Sequence, residues 1–287
     1  MRAAAIFGPG ASSRDLKPFQ AAQDTTWQTD LPTSRNAADV MLIFGGDGTI
    51  HRHLTRLVEL QRPVLIVPTG SGNDFARSIG LRSVRHALAA WRAFLASRAN
   101  VQAVDLGIVA DGAAQRYFCC VAGVGLDAEA QRRANNFPRW LRANGGYALA
   151  LLPALFQFAP VPTTIEIPST SGGWAARSNQ PILLAAFANT PYYGGGMKIA
   201  PRAQMNDGLL DACVIAAMHP LKLFCLFPTV YSGRHLAVRE VDYFQTSAVR
   251  IEPDPPLDVY ADGEFVCRSP VEISVARSAL TVITAPG

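Results

Sequence analysis

The chain has 287 residues, 49% hydrophobic and only 17% charged, which is enough apolar material for one large core or two moderate ones; two are expected. Its net charge of +4 comes from scattered arginines with no basic tract, which speaks against a nucleic-acid binder and suits weak attraction to an anionic membrane. Five cysteines, with Cys119 and Cys120 adjacent and no C-x-x-C pair, speak against a disulfide framework and favour a reduced, cytoplasmic setting.

In chain order, strands are predicted over 3–7, 40–44 and 64–67, and helices over 50–60, 73–79 and 84–96. That alternation implies a parallel sheet with helices on its faces. The first strand ends at a Gly-Pro turn, where a signal peptide would need a longer apolar core. After Asp105 the pattern changes to short strand-like runs over 117–121, 163–167, 182–189, 210–216, 249–252, 257–261 and 271–275. Gly, Pro, Ser and Asn clusters separate them, as in an antiparallel sandwich. Residues 169–178 and 252–256 read as surface loops. Helices are predicted over 141–158 and 220–231. The first contains the most hydrophobic stretch, too short to span a bilayer and interrupted by Pro153. It reads either as a core or cleft-lining helix or as a lipid-facing one, with Arg132, Arg133, Arg139 and Arg142 near anionic headgroups.

The segment Phe44-Gly45-Gly46-Asp47-Gly48-Thr49 leaves an apolar strand and enters a helix, a pattern suited to cradling phosphate. Its glycines allow close backbone approach, and the N–H groups of the helix start face any arriving anion. Asp47 would repel a polyphosphate unless a divalent cation stood between them, which suggests nucleotide with metal. The alternative is a plain strand-to-helix turn with a capping Asp or Thr. A second strand runs into Pro68-Thr69-Gly70-Ser71-Gly72-Asn73-Asp74-Phe75-Ala76, where Asn73 or Asp74 could equally be a cap. Loops that follow neighbouring parallel strands converge on one sheet edge, so the two read better as a pair. Asn206-Asp207-Gly208 and Asp262-Gly263-Glu264 are each good hairpin turns, although Asp207 also suits a hard cation. The five histidines show no metal-ligand spacing.

The pair G-G-D-G-T and P-x-G-[ST]-x-N-D-F-A, in this order and spacing, resembles the diacylglycerol kinase catalytic-domain family, which includes sphingosine, ceramide and bacterial lipid kinases. Further matches run along the chain. Val104-Asp105-Leu106-Gly107 is similar to the family's I-D-x-G, the run from Val121 to Ala128 to its N-x-A-G-x-G-F-D-A, and the run from Asn189 to Pro201 to its tyrosine- and glycine-rich loop. Asn206 to Asp211 resembles its D-G-L-L-D metal loop, and Asp262-Gly263-Glu264 its late D-G-E. The chain departs from the family at His51-Arg52, where Asn-Glu is usual, at Gly8-Pro9-Gly10, and in a short stretch over 25–39.

The resemblance implies an α/β nucleotide-binding domain with a parallel sheet over 1–107, a β-rich sandwich-like lipid- and metal-binding domain over 108–277, and a site in the cleft between them. Residues 278–287 are expected to return to the first domain. It also implies ATP as donor and Mg2+ as cofactor. Thr29, Gly45, Gly46, Asp47, Gly48, Thr49, Thr69, Gly70, Ser71, Gly72, Asn73 and Asp74 would surround the nucleotide. Asp207, the carbonyls of Gln204 and Leu209, and an acidic network including Asp105 would serve the metal. Asp262 and Glu264 form its catalytic carboxylate pair, with Asp262 the general base and Glu264 the catalytic position of bacterial relatives. The expected partner is a lipid at a membrane surface, diacylglycerol by default, met by a cytoplasmic enzyme held peripherally at the inner face, with room for a homodimer. Rival readings are a sphingoid or polyprenol kinase, an NAD kinase and a non-catalytic lipid-binding relative.

Overall fold

Val40–Gly45 and Val64–Pro68 are buried along their whole length, as strands covered on both faces must be. The computed structural model describes residues 1–21, 25–136 and 153–286. In chain order its elements are β1 (Arg2–Phe7), α1 (Ser13–Leu16), β2 (Thr26–Gln28), β3 (Val40–Gly45), α2 (Asp47–Leu60), β4 (Val64–Pro68), α3 (Asp74–Ser78), α4 (Val84–Ser97), β5 (Val101–Ala110), β6 (Gln115–Phe118) and β7 (Val121–Gly125). These are followed by α5 (Leu126–Asn135), β8 (Val161–Pro168), β9 (Trp174–Ala188), β10 (Leu210–Ala216), α6 (Pro220–Leu226), β11 (Val241–Thr246), β12 (Ala248–Pro253), β13 (Asp258–Ala261), β14 (Glu264–Arg268) and β15 (Val271–Ile283). The chain divides into two units, Met1–Asp105 with Arg277–Gly287, and Leu106–Ala276. It passes between them twice, within β5 and within β15.

In the first unit β4, β3, β1 and β2 pair in that order, all parallel, and the end of β15 adds to β4 through Val282 and Val64. Helix α2 turns Ile50, Leu54 and Leu57 inward at helical spacing and ends at Gln61 in the left-handed conformation. Helix α4 starts on a Ser83 cap and buries Ala87, Ala90, Trp91 and Phe94, with the Trp91 indole donating to the Phe19 carbonyl at 2.9 Å. Residues 25–39 hold β2 and no helix.

The second unit is antiparallel: β14, β13, β7 and β9 run side by side, β8 and β12 continue from the first half of β9, and β10 pairs with both β9 and β11. Its core includes Phe118, Ile165, Ile182, Phe187, Val214, Ile251 and Ile273. Three expectations need correction. The single strand over 117–121 is two strands, β6 and β7, broken by a bend at Cys119–Cys120. Much of the loop expected over 169–178 is the exposed first part of β9, paired with β8. The helix expected over 220–231 is α6 followed by a 3₁₀ turn, Phe227–Ser232, because Pro228 lacks the N–H that would continue the α-helix. Of the helix expected over 141–158, residues 141–152 lie outside the described residues, while 153–157 are helical.

Candidate active site

The parallel sheet directs the ends of β1, β3 and β4 to one edge. Gly46 is the N-cap of α2, so Asp47, Gly48 and Thr49 form the first turn of that helix. Across from it, the backbone of Gly70 comes so close that a Cβ on Gly70 would stand 2.5 Å from the Gly46 Cα, and one on Gly46 would stand 3.0 Å from the Gly70 Cα. Two loops therefore meet backbone to backbone, and both glycines are required by that contact. Thr49 is buried against Gly8 and Gly45: a Cβ on either would fall within 2.6 Å of its hydroxyl.

Asp47 acts across the pair. Its carboxylate accepts from the backbone N–H of Asp74 at 2.9 Å and of Phe75 at 3.1 Å, capping α3 from the other loop. The residue before α3, Asn73, sits at φ 53° and makes no cap of its own. Its amide braces the loop instead, accepting from the Gly70 N–H at 3.0 Å and donating to the Gly70 carbonyl at 2.6 Å. Asp74 is buried and receives Arg77 at 3.2 Å. The Thr69 N–H donates to the Gly45 carbonyl at 3.3 Å, while its hydroxyl oxygen is buried without a hydrogen-bond partner. Ser71 is exposed and Gly72 half-buried. Thr29 is exposed just beyond β2, where Gln28 pairs with Ala4, so it stands short of the Gly8 end of β1. Asp105 is buried on β5 and accepts from the Ser278 N–H at 2.6 Å, where β15 passes through a left-handed residue.

In the second unit Asp207 forms a turn, accepting from the Leu209 N–H at 2.9 Å, with Gln245 at 3.4 Å from its other oxygen. Gln204 is exposed and Leu209 half-buried. Gln245 also reaches Asp211 at 3.3 Å, and the Tyr243 hydroxyl donates to Asp211 at 2.6 Å. Burial pushes the Asp211 carboxyl above its ordinary range, with the nearby Asp207 charge adding to the effect. Burial and Asp211 raise the Tyr243 phenol, which stays a donor. Tyr243 and Gln245 lie on β11, a strand with no clear sequence signal.

Asp262 and Gly263 form a two-residue hairpin between β13 and β14, with φ 50° and 86°. Asp262 does more than turn the chain. One oxygen accepts from the N–H groups of Cys120 at 2.8 Å and Val121 at 3.3 Å; the other accepts from the Cys119 N–H at 2.8 Å and meets its thiol at 3.4 Å. Those four contacts occupy most of what a carboxylate can accept. Glu264, two residues on, is exposed.

Residues 17–109 match the model of the diacylglycerol kinase catalytic domain, and residues 120–284 that of the YegS C-terminal NAD kinase beta sandwich-like domain. A diacylglycerol kinase of Mycobacterium tuberculosis is 35% identical over 246 residues, spanning 85% of this chain and 76% of that protein. The chain belongs to the diacylglycerol kinase family. It is a lipid kinase. A diacylglycerol kinase of Bacillus subtilis is 25% identical over 79% of the kinase and 71% of its own length. The fold agrees: a crystal structure of a Bacillus anthracis diacylglycerol kinase superposes with a TM-score of 0.72 at 21% identity, covering 99% of the kinase and 97% of that chain. An Archaeoglobus fulgidus NAD kinase in complex with ATP shares the fold more distantly, with a TM-score of 0.54 at 14% identity over 99% and 94% of the two chains.

Among the described residues no helix of the kinase is long and apolar enough to cross a membrane. Leu155, in the helix that reads as either core or lipid-facing, is 3% exposed and belongs to the core, whereas its neighbour Phe156 is 54% exposed and lies 6.2 Å from the ring of Phe224, itself 45% exposed. Arg132 and Arg133 both pair with Glu129, at 2.9 and 2.6 Å. Arg139 and Arg142 lie outside the described residues.

Proposed function

We propose that the kinase transfers the γ-phosphoryl group of ATP to a hydroxyl of a membrane lipid, with diacylglycerol as the default acceptor. The observation that carries this reading is the backbone contact of Gly46 with Gly70, which joins two N–H-rich loops at one sheet edge in a chain related to proteins named diacylglycerol kinase. The unpartnered Thr69 hydroxyl beside that contact suits a polar ligand such as a nucleotide. In this reading the loops hold phosphate through backbone N–H groups, and Asp47 keeps their spacing by capping α3. The Asp207 carboxylate, whose second oxygen has only a long contact to Gln245, would hold Mg2+ together with the carbonyls of Gln204 and Leu209. Such an ion would supply positive charge of the kind phosphoryl transfer needs. Glu264 accepts the proton of the acceptor hydroxyl as its oxygen attacks the γ-phosphorus and ADP leaves. Asp262, occupied by backbone N–H groups, is a positioning residue that sets the turn carrying Glu264.

The exposed Phe156 and Phe224 rings support peripheral contact with a lipid surface, which suits an enzyme at the inner face of a membrane. The test incubates the protein with labelled ATP, magnesium and separate vesicles of diacylglycerol, a sphingoid base and a polyprenol, with NAD as a soluble acceptor. Phosphate on diacylglycerol supports the proposal, and phosphate on another acceptor replaces it. In a second arm, Phe224→Glu lowers turnover on vesicles more than on a short-chain soluble acceptor; equal losses on both would refute the membrane contact.

A further inference from the structure

We propose that Cys119, Cys120 and Asp262 form a binding site for a thiophilic divalent cation of the zinc or cadmium kind. In extended backbone, neighbouring side chains point to opposite faces. The bend between β6 and β7 removes that alternation and brings the two thiols to one side, with their sulfurs 3.9 Å apart. The Cys119 sulfur lies 3.4 Å from an Asp262 oxygen, and one ligand atom from each of the three residues falls within 4.8 Å of the others. A tetrahedral zinc ion with sulfur at about 2.3 Å and oxygen at about 2.1 Å separates its ligands by roughly 3.6–3.8 Å. Two of the three separations are already near that spacing, and the third lies within 4.8 Å.

The carboxylate is held in place for this role. Backbone N–H groups of Cys119, Cys120 and Val121 fix it, so the residues that supply the sulfurs also anchor the oxygen. Charge favours occupation too. Two thiols and one carboxylate carry a single negative charge; when a divalent cation displaces both thiol protons, the complex still carries one. A buried site therefore gains no net charge. Cys119 and Cys120 are 0% and 3% exposed, while Asp262 and Gly263 are half-buried, so an ion enters past the turn and keeps a fourth position for water. Two soft sulfurs select zinc or cadmium over magnesium. Among the described residues this is the one group of three His, Cys, Asp or Glu ligands close enough to share an ion, and the proposed phosphoryl transfer does not use the thiols.

The full chain, kept reduced and metal-free, is titrated with Co2+ and with Cd2+ while thiolate-to-metal charge-transfer absorption is followed. One equivalent should bind with this absorption in the native protein and in Cys225→Ser. In Cys119→Ser and Cys120→Ser the affinity should fall by more than the roughly 10–100-fold typical of losing an outer partner. Since both positions are buried and a variant could lose its fold, X-ray absorption of the zinc-loaded native protein gives the second measurement: two sulfurs at about 2.3 Å are expected. A shell of nitrogen and oxygen only, or unchanged affinity in both folded variants, overturns the proposal. Neither measurement uses ATP or lipid, so the outcome is separate from that of the kinase assay.

Discussion

Asp47 in the first unit and Asp262 in the second each belong to a short motif that reads as reactive, and each spends its carboxylate on the backbone of a distant segment. Asp47 reaches the start of α3, and Asp262 reaches the bend after β6. The surroundings differ. Asp47 works where Gly46 and Gly70 bring two loops into backbone contact, so the approach is tight and the carboxylate sets its spacing. Asp262 works at a left-handed hairpin position, where its side chain substitutes for the strand pairing that the bend interrupts. The motif's conspicuous acid is thus the brace in both units, and in the proposed reaction the groups that meet substrate stand beside it: the loop backbone in one case, the exposed Glu264 in the other.

The largest effect should come from separating brace from reactive group. Glu264→Gln is expected to retain ATP binding and thermal stability while kcat falls by roughly 10²–10⁴-fold, the range for removal of a general base. If kcat stays near normal, Glu264 is a hairpin residue and the division drawn between it and Asp262 fails. Gly70→Ala comes next. Its Cβ would meet Gly46 backbone at 2.5 Å, so the loops must part, and a misplacement of this kind costs on the order of 10²-fold in kcat/KM. Steady-state kinetics over an ATP series will show it, with unchanged values refuting the tight contact. Gly46→Val tests the same contact from the other side.

Asp262→Asn and Asp47→Asn should act mainly on stability. Each turns an amide NH2 toward backbone donors and should cost about 1–3 kcal/mol in denaturant unfolding, with activity falling alongside the melting temperature. A normal melting temperature with lost kcat in Asp262→Asn would make it the base after all. The smallest effect belongs to an exposed counterpart of these braces. Arg2 donates to Asp39 from its side chain at 2.9 Å and its backbone at 2.8 Å, and holds the carboxyl at about 2, below the usual 3.8. A depressed acid stabilises the folded state above its unfolded pKa and loses that contribution as pH falls from 3.8 through about 2. The pair is exposed and screened, so Asp39→Asn should remove less than about 1 kcal/mol of acid-dependent stability, visible as a flatter melting curve between those pH values.

The alternating strands and helices of the first unit were legible because their signals are local: apolar runs, glycine turns and the Ser83 cap. The chemistry of the loops was legible as motif, but the work of Asp47 was not, since its partners follow another strand. Likewise, nothing near Cys119 announces a bend. The carboxylate that organises it comes 143 residues later, and a run of Phe-Cys-Cys-Val reads as strand until that partner is known. β9 was cut short for a different reason: its first half is polar because both faces are largely exposed, so it lacks the alternation that marks a half-buried strand. Leu155 and Phe156 show the limit of an apolar run. Composition cannot say which of two neighbours faces inward.

The pairing of Val64 with Val282 bears on how the chain is made. Synthesis delivers β1 to β4 early, yet one edge of β4 has no neighbour until β15 emerges after almost everything else. Throughout that interval a nascent first unit displays an open, fully apolar strand to the cell, the kind of edge that recruits other chains. Folding of this unit is therefore tied to completion of the second, and a fragment ending after β5 would carry the two glycine loops on a sheet that lacks its β15 edge.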